Sequence, residues 1–509
     1  MKDSATAWVG FVAMAFGMFM AILDIQIVAS SMVDIQFALN IPSENLSYIQ
    51  TIYLIAEVIA IATTGWLTRV LSTRWLFVSA MIGFVAASAG CAAADTYQTL
   101  YVWRAVQGLF GGAIIPLVFS AAFLMFSSRT QPIATVIGGG FAMLAPTVGP
   151  FVGGWITETF SWPWLFLVNL APGIIAAAVV TFTIRIDRPD LSSLRKLDVL
   201  GLATLAFFLG TLELALKEAP AWGWRSPVTL IAAGIVIASG FFAVIRSLRR
   251  SDSLVDLRTF ADRTFAIGAW YSFVLGVGLY GSVYLLPLFL SVVRNLGPLE
   301  IGQVMIVMGA TQLLTAPIAA RLELRIDARW MTAFGYGFFA AGLMMSGFAT
   351  YEWGFEENFA PQVLRGAAVM VCILPVTRLA LGQISPERVP NASALFNLMR
   401  NVGGALGLAL IDTVLENRPA HHVDRIIAAL RAGDRDMAVF VGIPLDKFTA
   451  EAIANADAAT REIVQPLIER AAAVASFNEA WLMIGGLVGL SLAALPLMRP
   501  VPPTTDSPR

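Results

Sequence analysis

Fourteen apolar stretches of roughly 20 residues each constrain this chain more than any other feature. An α-helix rises ~1.5 Å per residue and the hydrocarbon of a bilayer is ~30 Å thick, so each stretch is long enough to cross. The windows run near 8–33, 46–71, 75–94, 98–124, 133–158, 163–184, 198–216, 228–246, 264–290, 301–321, 330–349, 359–381, 392–414 and 479–498. In lipid the backbone must satisfy its own hydrogen bonds, so stretches of this length predict helices and an all-α membrane protein. The chain is 58% apolar and only 13% charged, far from a soluble average. The first stretch is too long for a signal-peptide core and carries Asp24 in its second half, so it reads as a retained helix.

Charge in the short connections sets the orientation. Arg69 and Arg74 follow the second stretch, Arg129 the fourth, and Arg185, Arg188, Arg195 and Lys196 the sixth. Arg246, Arg249, Arg250, Arg258 and Arg263 follow the eighth, Arg321, Arg325 and Arg329 the tenth, and Arg388 the twelfth. The opposite connections carry Asp34, Glu44, Asp95, Glu158, Glu352, Glu356 and Glu357. By the positive-inside rule the even connections and both termini are expected in the cytoplasm. The long connection, 416–478, then lies outside despite its arginines, since long loops translocate regardless of charge. Its apolar residues fall at helical spacing, Val423, Ile426, Ile427 and Leu430, then Ile463, Leu467, Ile468 and Ala471. Two readings stay open for it: a solvated amphipathic flap, or a docking surface for a periplasmic partner.

Several function classes fall away on composition. The net charge is −1 and no basic run interleaves with aromatics, so no nucleic-acid partner is expected. Cys91 and Cys372 lie in separate apolar stretches and read as small core residues. The two histidines, His421 and His422, both lie in the long polar connection, which excludes a histidine-ligated metal inside the membrane. No phosphate-binding glycine loop is present, and no cofactor is expected.

The fifth stretch holds Ala145-Pro146-Thr-Val-Gly149-Pro150-Phe-Val-Gly153-Gly154. In water, proline inside a helix costs ~3 kcal/mol and glycine ~1 kcal/mol against alanine. In a membrane helix neighbours soften that cost, and a glycine face admits a second helix closely. The run resembles the G-x-x-x-G-P-x-x-G-G signature of proton-coupled exporters of the major facilitator superfamily, with Ala145 in place of the first glycine. On the fourth stretch, Arg104, Gln107, Gly108 and Gly111 resemble the superfamily's R-x-x-Q-G-x-G motif. Leu23-Asp24-Ile-Gln-Ile-Val on the first resembles the L-D-x-T-I-V motif of fourteen-helix drug/proton antiporters. The connection Gly65-Trp-Leu-Thr-Arg69-Val-Leu-Ser72-Thr-Arg74 occupies the place of the G-x-L-a-D-R-x-G-R gating loop, but matches it poorly. Arg69 stands where that family has aspartate and Ser72 where it has glycine, so the aspartate's latch role does not carry over. Trp164-Leu-Phe-Leu-Val-Asn169-Leu-Ala-Pro172-Gly173 and Val255-Asp256-Leu-Arg-Thr-Phe260 resemble segments of the EmrB-type inner-membrane multidrug efflux pumps.

The resemblance covers nearly the whole chain. It implies a six-helix bundle over 1–186, two additional helices within 187–254, and a second bundle over 255–509 that includes the long loop 416–478. Inverted repeats in each bundle would rock around a central site open alternately to each side. It also implies a membrane-fusion adaptor and an outer-membrane channel as partners, with the long loop as the adaptor contact.

An ionised side chain at mid-membrane is costly unless paired or facing a water-filled cavity, so each such residue is a functional candidate. Asp24 lies about sixteen residues into its stretch, ~24 Å along a helix and in the outward half. Arg104 lies at comparable depth. The pair is expected to couple proton entry to transport, the cation tuning the acid; the competing reading is a permanent lock between two helices. Glu57 is a second candidate, as proton site or counter-charge for a cargo, against a simple hydrogen-bonded glutamate. On the thirteenth stretch Asn397, Arg400, Asn401 and Asp412 gather, and Arg365 is placed to pair with Asp412. Glu213 and Lys217 are expected as an i,i+4 surface pair, and none of the four lysines is expected inside a span. By depth and type alone, Met20, Gln26, Tyr53, Tyr280, Tyr284, Gln312, Asn397, Arg400 and Asn401 are candidates to line an apolar cargo cavity.

The expected function is proton-driven efflux of amphipathic drugs or toxic organics across a bacterial inner membrane. The alternative is a dedicated exporter of one metabolite, siderophore or lipid. A remoter reading, a proton-pumping subunit of a respiratory complex, would call for buried lysines along the membrane axis. An embedded enzyme would need a clustered metal set or nucleophile elbow, and neither is found.

Overall fold

A computed structural model describes residues 4–192, 198–250, 255–445 and 458–498. Among them thirteen helices are long and apolar enough to cross a membrane. Tyr48–Ala92 counts as one of these but runs for 45 residues, or ~68 Å, twice a bilayer's hydrocarbon thickness. It divides at Ser72, whose φ of 71° and ψ of 159° are non-helical. The fourteen expected crossings are therefore all present.

In chain order the helices are α1 Ala5–Ser30, α2 Met32–Leu39, α3 Ser43–Leu46, α4 Tyr48–Ala92, α5 Tyr97–Met125, α6 Gln131–Thr159, α7 Trp164–Leu167 and α8 Leu170–Thr183. There follow α9 Val199–Trp222, α10 Pro227–Arg249, α11 Arg263–Val292, α12 Pro298–Glu323, α13 Ala328–Met345, α14 Phe355–Leu381 and α15 Val389–Asn417. The chain closes with α16 Pro419–Arg431, α17 Arg435–Val441 and α18 Ala458–Leu490. Polar residues mark the starts: the side chains of Ser4, Thr96, Asp198, Ser226, Asp262 and Asp327 each accept a first-turn N–H.

Packing falls into two sets. In the first half α1 lies on α6 and α8, and α4 on α5 and α8; in the second, α11 lies on α15, and α14 on α12 and α13. The halves meet along α6 and α12, and where α15 crosses α4 and α5. At the α4–α15 crossing a β-carbon on Gly65 would stand 2.6 Å from the Asn391 Cα. The additional pair, α9 and α10, lies antiparallel outside this frame, with α9 against α4 and α15. Its outer faces, Leu230, Ile231, Ile237 and Phe241 among them, are exposed and suited to lipid. Asp198 at the start of α9 is clamped by Arg246 of α10 at 2.5 Å.

Two expectations change, and the helical spacing expected in the long connection is present. The last crossing is the latter part of a longer helix than the window near 479 implied: α18 begins at Ala458, because the apolar spacing at Ile463–Ala471 continues unbroken into the span. The long connection is helical in α16 and α17, and Ile426, Leu430, Ala438, Val441, Ile468, Ala471 and Ala472 bury one another in a small core of their own. Lys217 does lie within a span-length helix, near the end of α9. It pairs with Glu218 at 3.6 Å and donates to Ser47 Oγ at 3.0 Å rather than pairing with Glu213. Lys2, Arg195, Lys196 and Lys447 lie outside the described residues.

Candidate functional site

A closed polar cluster sits inside the first half. Asp24, nineteen residues into α1, and Arg104, seven into α5, are both fully buried. Arg104 Nη1 donates to Asp24 Oδ2 at 2.5 Å and also to Gln107 Oε1 at 2.6 Å. The other carboxylate oxygen accepts from Gln107 Nε2 at 2.9 Å and from Asn169 Nδ2 at 2.7 Å. Gln107 Nε2 reaches Ser88 Oγ at 2.8 Å, and Cys91 Sγ donates to Gln107 Oε1 at 3.6 Å. The guanidinium stacks 4.3 Å from the centre of the Tyr53 ring, whose hydroxyl donates to the Ala21 carbonyl.

The local sequence explains why the cluster closes. Arg104, Gln107, Gly108 and Gly111 share one face of α5. A β-carbon on Gly108 would stand 2.2 Å from the Tyr53 carbonyl oxygen, and one on Gly112 2.4 Å from that of Glu57. The glycines bring α5 onto α4, and the two polar residues on the same face then reach Asp24. Asn169 enters from the break between α7 and α8. Asn169, Ser88 and Cys91 are the members that sequence reasoning did not place in the site. Asn169 had one signal, as the lone amide in an apolar run; the other two had none.

The ion pair is one-pronged. Arg104 Nε and Nη2 have no hydrogen-bond partner, so the fork that locks arginine to carboxylate bidentately is not used. A proton on Asp24 Oδ2 would displace a single bond while Gln107 Oε1 still holds Nη1. Gln107 and Asn169 still donate to the other carboxylate oxygen.

The glycine–proline run lies on α6, which stays helical through Pro146 and Pro150. Gly149 and Gly153 face α1: β-carbons there would stand 2.3 Å from Gln26 Cβ and 2.2 Å from Ser30 Oγ. The Gly153 carbonyl accepts from Ser31 Oγ and Thr157 Oγ1. Ala145 and Pro146 are buried and Pro150 and Gly154 half-buried. The run therefore joins α6 to the helix that carries Asp24.

The gating-loop positions hold the kink in α4. Ser72 takes a conformation that glycine adopts freely and other residues only at a cost. Asp187, after α8, accepts from Thr73 N with both oxygens at 2.9 Å and from Thr73 Oγ1 at 3.0 Å. It caps the second half of α4 where the loop has no acid of its own. Burial pushes the Asp187 carboxyl above its ordinary range, against those hydrogen bonds. Arg69 is exposed and its carbonyl accepts from Asp190 N; Arg74 stacks on Trp75.

In the second half, Arg365 does not meet Asp412. Its guanidinium lies 4.6 Å from the Trp481 ring centre and Nε donates to the Pro361 carbonyl, while Asp412 accepts from Tyr284. One helical turn separates Arg365 from Pro361, which places the charge inside its own bundle, away from the α15 end where Asp412 sits. Arg400 Nη2 donates to Asn397 Oδ1, and the group lies 5.1 Å from the Phe119 ring centre of α5. Tyr280 donates to Asn401. Gln312 is buried with both amide ends unpartnered. Glu57 is buried on α4, one turn beyond Tyr53. Of the other cavity candidates, Met20 is buried near Gly173, Tyr53 belongs to the Asp24 cluster, and Tyr284 is exposed.

The model of the Major Facilitator Superfamily matches residues 14–408. The chain is 38% identical to the colistin resistance protein EmrB of Acinetobacter baumannii, over 83% of this chain and 82% of that one. It is 27% identical to the multidrug export protein EmrB of Escherichia coli K12, over 81% and 80% of the two chains. It is also 27% identical to the fatty acid resistance protein FarB of Neisseria gonorrhoeae, over 84% of each. Among solved structures, the proton:xylose symporter XylE superposes with a TM-score of 0.59 at 12% identity, over 97% of this chain and 95% of the other. The human organic anion transporter MFSD10 gives 0.56 at 14%, over 96% and 100%. At such identities the two structures speak for the fold alone.

Proposed function

Because this chain belongs to the Major Facilitator Superfamily, a family of membrane transporters, we propose that it exports amphipathic compounds across a bacterial inner membrane in exchange for protons. The observation that carries the reading is the Asp24 cluster: a buried carboxylate paired to one guanidinium nitrogen through one oxygen, with Gln107 and Asn169 donating to the other. Asp24 lies six residues from the end of α1, ~9 Å, so a proton reaches it from that end of the bundle. When the halves rock, the carboxyl faces the other side, and re-forming the bond to Arg104 returns the proton there. The membrane potential contributes ~2.3 kcal/mol per charge for each 100 mV, so neither nucleotide nor cofactor is needed. Asp24 carries the proton, Arg104 balances its charge, and Gln107 and Asn169 hold the geometry.

The even connections and both termini face the cytoplasm in this reading, as the arginine distribution requires. The small helical module of α16, α17 and the start of α18 then stands outside and serves as the contact for a membrane-fusion adaptor that leads to an outer-membrane channel. The names of the relatives, colistin, multidrug and fatty acid resistance, favour broad efflux over a single-metabolite exporter.

Proton movement in respiring inverted vesicles tests the coupling. Lipophilic cations, neutral drugs and weak acids are added to wild type and to Asp24→Asn, with a pH-sensitive dye as readout. A compound that collapses the gradient with wild type and not with Asp24→Asn is cargo coupled through Asp24. Equal responses in both would move the coupling elsewhere, Glu57 being the next carboxylate to examine.

A further inference from the structure

Arg400, like Arg365, is a buried charge that this mechanism leaves without work, and of the two it is the one that lies against a ring of the other half. It is 3% exposed, its Nη1 has no partner, and among the described residues no carboxylate lies within ion-pair distance. Its one side-chain partner is the neutral amide of Asn397. A guanidinium in this position is costly unless something anionic or watery meets it.

Its place in the fold says what that is. Arg400 lies eleven residues from the start of α15, ~16 Å along the axis and near mid-membrane. The side chain reaches out of its own bundle, stacking over Phe119 of α5, with Phe396 at 5.8 Å on its own helix. Two turns below Arg400, Ser393 Oγ donates to the Pro116 carbonyl, so the two halves are in contact at that point. Gln312, eleven residues from the end of α12 and hence at the same depth, offers two further unpartnered polar ends. The surroundings are aromatic and neutral, and Nη1 is left without a partner in a guanidinium that lies beside Phe119 of the other half. Mid-bilayer depth excludes a lipid headgroup as the standing occupant, since headgroups lie ~15 Å away.

We propose that Arg400 is the docking point for the anionic group of the cargo, a carboxylate or sulfonate on an apolar body that rests against Phe119 and Phe396. The inference rests on the export reading and narrows it to amphiphilic anions. Glu57 lies on the facing helix: eight residues separate it from the Gly65 contact and nine separate Arg400 from Asn391, so the two lie at one level.

The test uses the purified full chain in lipid nanodiscs and proteoliposomes with an imposed proton gradient. The probes are decanoate, naphthalene-1-sulfonate and the matched cation trimethyl(1-naphthyl)ammonium. In Arg400→Gln the ratio of anion to cation affinity is expected to fall about tenfold or more, as loss of a charge-assisted bond requires. Arg400→Lys keeps the charge without the planar fork and is expected to fall by a smaller factor. A uniform loss for all three probes, or no change for the anions, overturns the proposal. If wild type carries only the cation, this inference fails while export stands; if it carries none of the three, the export reading fails and takes the inference with it. Gel filtration reports folding. Should Arg400→Gln not fold, equal anion affinities in wild type and Arg400→Lys would still overturn the claim.

Discussion

The two halves of this transporter each bury arginine in the membrane and treat it in opposite ways. In the first, Arg104 meets an acid, one amide and a tyrosine face, all within one bundle. In the second, Arg365 and Arg400 meet aromatic rings and neutral oxygens, and three of their terminal nitrogens have no partner. The charge of the first half is internally balanced and can be switched by one proton. The charge of the second is standing, buried and without an acid beside it among the described residues. Two halves of one fold therefore need not share one chemistry.

The largest effect that could break this contrast comes from removing each cation in turn. Arg104→Met leaves Asp24 buried and unpaired, and is expected to lower stability by about 3–5 kcal/mol in thermal or denaturant melts. Arg365→Met strands no acid and is expected to be neutral or stabilising. Comparable losses in both would mean that Arg365 has a counter-charge after all.

Next in size is the helix contact that assembles the first cluster. Gly108→Ala drives a methyl to 2.2 Å from a backbone oxygen that cannot move away, whereas Gly140→Ala on α6 meets nothing within 4 Å. A loss of about 1–3 kcal/mol is expected for the first and none for the second. Export by Gly108→Ala should fall with it, because the α4–α5 approach positions Arg104.

Ser72→Gly sharpens the comparison from the other direction. It relieves a backbone conformation that costs about 1–3 kcal/mol in a non-glycine residue, offset in part by the extra freedom of glycine when unfolded. A higher melting temperature with unchanged export is expected. A lower one would show that the weak Ser72 Oγ contact to Trp75 N outweighs the strain.

The smallest effect is predicted outside the membrane. The hydrogen bond from Arg246 holds the Asp198 carboxyl below its ordinary range. A lowered value in the folded state means stabilisation that is complete above the unfolded carboxylate range and lost as pH falls through the folded value. Asp198→Asn is expected to cost about 0–1 kcal/mol near pH 7, less in high salt, and nothing at acid pH. The buried Asp24–Arg104 pair should be insensitive to salt, and melts across ionic strength separate the two cases.

Most of the fold was legible in the chain. Span length, arginine placement and the glycine–proline run are local properties, and lipid leaves a helix no other way to satisfy its backbone. Asp24 and Arg104 could be paired from depth alone, because each lies on a helix of known rise. Composition also fixed that charge inside the membrane would be rare and therefore meaningful. What the sequence alone left open is which buried groups touch. Asn169 comes to Asp24 from the break between α7 and α8, Ser88 and Cys91 join it through Gln107 from the end of α4, and Arg365 turns to Trp481 rather than Asp412. Helical spacing fixes the face a residue occupies, but not which neighbour that face meets; the close approach of α4 and α5 at Gly108 and Gly112, a contact seen only in three dimensions, decides that. Asp187 standing in at the kink, and the missing counter-charge of Arg400, are likewise facts of packing, since both depend on residues more than a hundred positions apart meeting or failing to meet.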